Sequence, residues 1–326
     1  MAAPSEPTAQ AADSDETARG PVDRVAALRR GDRRALAATV TALERLAPEA
    51  PALLQAMQPH LGAALIIGIT GPPGAGKSTL VNALIGHWRG LDQRVAVVAV
   101  DPSSPISGGA ILGDRIRMTA ALDDDGVYVR SLSSSGYLGG LSPAAVRIVD
   151  VLDAAGFAHV LLETVGTGQN EIDVAEVADV RVVVTAPGLG DDIQAMKSGL
   201  LEIADVLVVN KADREGAERT LHQLKGALSI RSGETARIPV LKTTATTADG
   251  IADLAAAIAT AGVKARRQTP IERRRRRARY LIARAASDLV TERIKAGGTA
   301  ALDALADDVL AGRIDPRAAA GMVLGG

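Results

Sequence analysis

Cysteine is absent from the 326-residue chain. That excludes disulfides, thiolate metal sites and a cysteine nucleophile, and it fits a reducing compartment. Aromatic residues are scarce as well, with one Phe, one Trp and three Tyr. Since 47% of the residues are apolar, the core has to be built from Ala, Val, Leu and Ile, which suits helices packed tightly on a parallel sheet. Neither sign of charge dominates: 37 basic and 38 acidic residues give a formal charge of −1. No overall field therefore draws the chain to nucleic acid or anionic lipid, and neither is expected as a partner. No apolar run approaches the roughly 20 residues that span a bilayer, so a soluble protein is expected, with the cytoplasm as its default location. His60, His87, His159 and His222 are scattered without ligand spacing and read as packing or surface residues rather than a zinc site. Residues 1–20 mix Ala, Pro, Ser and Thr with acids. They lack the apolar run of a signal peptide and the acid-poor character of a transit peptide, and they read as a disordered tail.

What is present is alternation. From Val22 to Met57 apolar residues recur at helical spacing, broken at Gly31, Pro48 and Pro51, which predicts a small N-terminal lobe of two or three helices over 21–62. Seven short apolar, largely β-branched runs follow: Leu65 to Ile69, Val95 to Val100, Val127 to Val129, Val160 to Leu162, Val180 to Val184, Val206 to Val209 and Ile238 to Leu241. Helical patterns lie between most of them, so the expected fold is α/β, a mainly parallel sheet flanked by helices, over 63–265. Beyond it, 266–326 reads as a basic helix from Pro270 to Lys295, a Gly297-Gly298 hinge and a helical arm from Ala300 to Leu324.

The chemistry concentrates where strands end. Gly71-Pro72-Pro73-Gly74-Ala75-Gly76-Lys77-Ser78-Thr79 follows the first strand and opens a helix, the context that confirms a P-loop. Its glycines let backbone N–H groups turn around phosphate oxygens, Lys77 reaches the β and γ phosphates, and Ser78 is placed to coordinate Mg²⁺. Asn210-Lys211-Ala-Asp213 at the end of a later strand matches the guanine-recognition motif of GTPases, in which the Asp213 carboxylate accepts from guanine N1 and N2. Thr244-Ala245, with Thr246 beside it, stands where these proteins contact the guanine oxygen through a backbone amide. Glu163, at a strand tip three residues before Gly166, has the layout of a γ-phosphate sensor, with Glu163 on Mg²⁺ or its water and the Gly166 amide on the phosphate. Gln169 either orients the attacking water or holds the loop. Asp101 and Asp114 are further metal candidates, with helix capping as the alternative, because Mg²⁺ takes only one or two protein acids. In the loop Thr185 to Lys197, Lys197 either swings toward phosphate during hydrolysis or closes a helix. The block Arg273 to Arg277 points all around a helix, and without stacking aromatics it reads as a solvated or partner-facing patch rather than an RNA site.

Together these motifs, with Asp101-Pro-Ser-Ser-Pro, Gly108 to Met118, Leu138-Gly-Gly and Pro187 to Asp192, closely resemble the MeaB/ArgK-type GTPases over about four-fifths of the chain. The resemblance implies hydrolysis of GTP to GDP and phosphate with Mg²⁺. It also implies a chaperone role for methylmalonyl-CoA mutase, in which the GTPase guards adenosylcobalamin loading and protects the mutase, and a homodimer formed through a C-terminal arm. Ser135-Gly136-Tyr137 departs from the usual pattern, as does the lack of a C-terminal tryptophan, and both bear on partner contacts. Three rival readings stand beside this one, of which a non-catalytic scaffold with a structural P-loop is opposed by the intact Lys77, Ser78 and base-reading motif. A kinase linked to basic amino-acid transport would need a phosphoacceptor pocket, and a GTPase inserting nickel would need His- or Cys-rich delivery residues.

Overall fold

The computed structural model describes residues 19–101, 124–133, 141–164, 170–189, 199–229, 238–295 and 300–325. It divides into two compact units, Met1–Arg276 and Arg277–Gly326. The first opens with helices α1 (Pro21–Arg29), α2 (Arg33–Glu44) and α3 (Ala50–Met57). Gly31 turns the chain after α1 at φ 94°, and Asp32 caps α2 by accepting from the Arg34 and Ala35 amides. Pro51, expected to break a helix, instead lies in the first turn of α3. A proline is tolerated there because the missing N–H would have no helical partner.

Residues 62–64 join this lobe to the sheet. The Asp153 carboxylate, 2% exposed, accepts from the amides of Gly62 (2.6 Å), Ala63 (3.1 Å) and Ala64 (2.8 Å). From the other side, Arg273 donates to the Gly62 carbonyl at 2.9 Å and Arg266 to that of Ala63 at 3.2 Å.

The strands are β1 (Leu65–Thr70), β2 (Val95–Asp101), β3 (Val127–Ser133), β4 (His159–Thr164), β5 (Val180–Thr185), β6 (Val206–Val209) and β7 (Val240–Lys242), in the order β3-β2-β4-β1-β5-β6-β7. Every pairing is parallel. β3 runs four residues past its apolar stretch because it is an edge strand, where Arg130 and Ser131 need no apolar cover. β7 starts after Pro239, which lacks a ladder donor but accepts from the Leu207 amide at 2.9 Å.

Helices α4 (Lys77–Arg89), α5 (Pro143–Ala154), α6 (Asn170–Val177), α7 (Leu200–Ile203), α8 (Ala217–Ser229) and α9 (Ile251–Ala265) cover the sheet. One core joins Leu65, Ile67 and Ile69 of β1 to Leu80 and Leu84 of α4 and Leu254 and Ile258 of α9. A second joins Val183, Leu207 and Val209 to Leu221 and Leu224 of α8. Side chains alternate along β1, so Gly68 faces away from the first core. A Cβ there would lie 2.0 Å from Val174 Cγ1 of α6.

α10 (Pro270–Lys295) begins in the first unit. The second holds the rest of it, α11 (Ala300–Leu310) and α12 (Pro316–Gly325). The arm expected from Ala300 to Leu324 is thus two helices. Gly312 at φ 70° turns the chain, and Asp315 caps α12 by accepting from Arg317 and Ala318.

Candidate functional site

The parallel sheet sends the carboxyl ends of its strands to one edge, where ligands of such folds bind. At the end of β1, Gly71 has φ 138°, and a Cβ there would lie 2.0 Å from the Val184 carbonyl oxygen of β5. Only glycine passes that gap. The loop turns again at Gly76, φ 86°, and α4 starts at once without a side-chain cap. Its first amides are the uncapped, positive end of a helix dipole, which favours phosphate.

Lys77 is 7% exposed and folds into the loop, where Nζ donates to the carbonyls of Gly71 at 2.8 Å and Pro72 at 3.1 Å. The register that pairs Ile69 of β1 with Glu163 of β4 brings that acid beside the following helix. Ser78 Oγ donates to Glu163 Oε1 at 2.7 Å. Next to it, Thr164 Oγ1 donates to Thr70 Oγ1 at 3.1 Å and ties the tips of β4 and β1 together.

Asn210, at the end of β6, is 1% exposed. Its Nδ2 donates to the carbonyls of Ala75 at 2.9 Å and Gly76 at 3.3 Å. Its Oδ1 accepts from Thr243 Oγ1 at 3.1 Å and from the Ala245 amide at 3.3 Å. The side chain is a strut between the P-loop and the turn after β7, a role its place in a base-reading motif does not reveal. Lys211, at φ 56°, lies over the loop with Nζ donating to the Gly74 carbonyl at 2.5 Å. Asp213 is exposed beyond it, Thr244 and Ala245 are half-buried, and Thr246 is exposed. The Ala212 amide donates to the Thr243 carbonyl at 3.0 Å and joins the two turns. Thr243 itself, 1% exposed, was not singled out from sequence, and nothing but its place after an apolar run marks it.

The structure thus gathers Gly71 to Thr79, Glu163, Asn210, Lys211 and the turn at Thr244 to Thr246. Asp101 ends β2 on the same edge, its backbone paired with Ser133, and its side chain lies outside the described residues. Asp114, Gly166, Gln169 and Lys197 also lie outside them.

Two other sequence readings meet the structure at the opposite edge. His159 stacks on Trp88 with ring centroids 4.2 Å apart, and its Nε2 meets Gln93 Oε1 at 2.8 Å. Burial, aided by Arg266, pushes its pKa from 6.5 down to about 4, so it packs as a neutral ring. The arginine block is not simply solvated. Arg273 is 4% exposed, and its Nη1 meets Asp179 Oδ2 at 2.9 Å. A cleft of about 400 Å³, lined by Arg181, Glu202, Asp205, Pro239 and Lys264 among others, sits at the amino ends of β5 to β7. It is not the phosphate site.

The family model described as methylmalonyl Co-A mutase-associated GTPase MeaB matches residues 36–299. A putative GTPase of Pyrococcus horikoshii is 48% identical over 239 residues, 72% of this chain and 75% of that protein. GTPase ArgK of Escherichia coli is 42% identical over 212 residues, 62% of this chain and 63% of that one. The mitochondrial methylmalonic aciduria type A homolog of Mus musculus is 36% identical over 193 residues, 58% of this chain and 46% of its own. A solved structure described as a LAO/AO transport system kinase is similar at a TM-score of 0.71 and 26% identity, covering 98% of this chain and 99% of that one. With a P-loop lysine, a serine–carboxylate pair and a guanine motif assembled on one sheet edge, the chain is a P-loop GTPase and belongs to the family of methylmalonyl Co-A mutase-associated GTPases, MeaB.

Proposed function

We propose that this GTPase is a chaperone of methylmalonyl-CoA mutase, coupling hydrolysis of GTP to GDP and phosphate with adenosylcobalamin loading and protection of the mutase. The observation that carries the reading is the family match over residues 36–299. The name of the mouse relative, tied to methylmalonic aciduria, supports it.

The chemistry follows from the cradle. When nucleotide enters, Lys77 exchanges its two carbonyl contacts for β and γ oxygens and neutralises the charge that builds on them in the transition state. Asp213, exposed at the rim, accepts from guanine N1 and N2, a donor pair adenine lacks. Lys211 covers the base, and the turn at Thr244 to Thr246 closes around its oxygen. Ser78 and Glu163 are hard oxygen donors already in contact, a set that fits Mg²⁺ held mainly by phosphate and water. When bound, the ion offsets negative charge on the β and γ phosphates. Asp101 and Asp114 as further metal donors, the Gly166 amide on the γ-phosphate, Gln169 on the attacking water and Lys197 as a second cation for phosphate charge during hydrolysis complete the proposed site.

The same reading takes the C-terminal helices as the arm of a homodimer. Leu310 is 85% exposed and Met322 57%, which leaves apolar surface for a second copy, and light scattering of the full chain reads its mass. Among the described residues no helix is long and apolar enough to cross a membrane, and the proposed setting is the cytoplasm.

The test is steady-state phosphate release with and without methylmalonyl-CoA mutase from the same organism. Stimulation is expected, and its absence with any cobalamin-dependent mutase would sink the partner assignment. The likeness to a transport system kinase favours one second reading. Incubation with labelled GTP or ATP and candidate acceptors separates the two, since a GTPase yields only free phosphate.

A further inference from the structure

We propose that Arg276, acting with Arg273 through Asp179, is a positioning residue for GTP hydrolysis, because it fixes the carboxyl end of α6. That helix joins the chain following Glu163 and Thr164 to β5. It therefore connects the metal-side acid to the strand beside the P-loop strand.

Three observations fix its far end. Val174 and Ala178 rest on Gly68 of β1, where a Cβ would approach them to 2.0 Å and 3.0 Å, so the end of α6 and the strand touch three residues before Gly71 opens the P-loop. Asp179, whose side chain is fully buried, accepts from the Ile66 amide at 3.1 Å and from Arg273 Nη1 at 2.9 Å. Its own amide donates back to the Ile66 carbonyl at 2.8 Å. Arg276 then closes the end of the helix. Its Nε donates to the Glu176 carbonyl at 3.1 Å, its Nη2 to that of Ala178 at 2.7 Å, and Nη2 lies 3.7 Å from Asp179 Oδ1. A cation on the last carbonyls of a helix both fills acceptors left without helical donors and opposes the negative end of the dipole.

The two arginines differ in what they hold. Arg273 neutralises a buried acid, and removing it leaves that charge alone, a change that threatens the fold. Arg276 is 29% exposed at its side chain and meets the helix end mainly through backbone carbonyls. Its loss frees α6 to shift without unpairing Asp179 from Arg273. In the proposed site the Gly166 amide and Gln169, which precede α6 in the chain, serve the γ-phosphate and the attacking water, neither of which the GDP complex uses, so the loosened helix is expected to act on the reacting state more than on guanine or β-phosphate binding. The inference rests on hydrolysis at this site and is independent of the mutase.

The experiment compares wild type, Arg276→Met and Arg276→Lys in single-turnover hydrolysis, GDP titration and thermal melting. For Arg276→Met, kcat falls about five- to tenfold, the scale of one typical net hydrogen bond lost, while GDP affinity stays within about twofold. Arg276→Lys, which keeps the stem, the charge and one donor set, recovers most of the rate. An unchanged or raised kcat in Arg276→Met overturns the proposal. So does a parallel fall of kcat and GDP affinity, the mark of a merely structural residue, and so does a lysine variant as slow as the methionine one. Absence of hydrolysis by the wild type would instead strike at the GTPase assignment itself.

Discussion

Replacing Asn210 by Ala tests whether the P-loop and the guanine-side turns form one cradle. The substitution removes two donations to P-loop carbonyls and two acceptances from Thr243 and Ala245. A net hydrogen bond contributes about 1 kcal/mol, and the two contacts at 3.3 Å count for less, so the loss comes to about 3 kcal/mol. Asn210 itself is 1% exposed, so water replaces its lost contacts poorly. If the loss falls on stability, the melting temperature drops by roughly 6–12 °C. If it falls on the nucleotide-ready form, GTP affinity drops by up to about 150-fold. Thermal melting and isothermal titration with a non-hydrolysable GTP analogue read the two channels. Asn210→Asp makes the contrast sharper, because it sets a carboxylate oxygen against the Ala75 carbonyl and does at least as much damage. A variant that melts within about 1 °C of wild type and binds GTP equally well refutes the strut.

Lys77→Ala is expected to abolish measurable hydrolysis, because it removes the cation at the β and γ phosphates; phosphate release equal to wild type would overturn the P-loop assignment. Asp213→Asn, at an exposed position, leaves the melting temperature unchanged but moves preference from GTP to xanthosine triphosphate, and equal loss for both nucleotides would count against base reading. The folded pKa of His159, about 4, lies below its ordinary 6.5. The unfolded chain therefore binds the proton first as pH falls, and stability is lost from about pH 6.5 down to about pH 4. His159→Phe keeps the stack on Trp88 and flattens that part of the acid limb in melting curves; an identical limb in the variant removes His159 as its cause.

Much of this was legible because the signals are local. Gly71 to Ser78 between an apolar strand and a helix determines the phosphate loop without tertiary information, and each of the seven apolar runs falls on a strand, the last only from Val240, because the interior of a sheet covered on both faces needs apolar residues. Strand order is not local. β4 lies between β2 and β1, and only that insertion carries Glu163 to Ser78. Asn210 misleads for another reason, since its place in a motif suggests a base contact whereas its amide is long enough to reach two loops. Arg273 hides within five consecutive cations of which a helix must turn some inward, and its partner Asp179 is 94 residues away.

The link at residues 62–64 has a mechanical consequence. A connector between lobe and sheet would normally serve as a hinge, yet here Asp153 takes its three amides while Arg273 and Arg266 take two of its carbonyls. Gly62 adds a steric stop, since a Cβ there would lie 2.6 Å from Pro270 Cβ. Bending the connector would break polar contacts on both of its edges at once, so the joint is a weld. A protein that grips α1 to α3 therefore takes hold of the nucleotide-binding sheet itself, and a push on the lobe reaches β1 without slack.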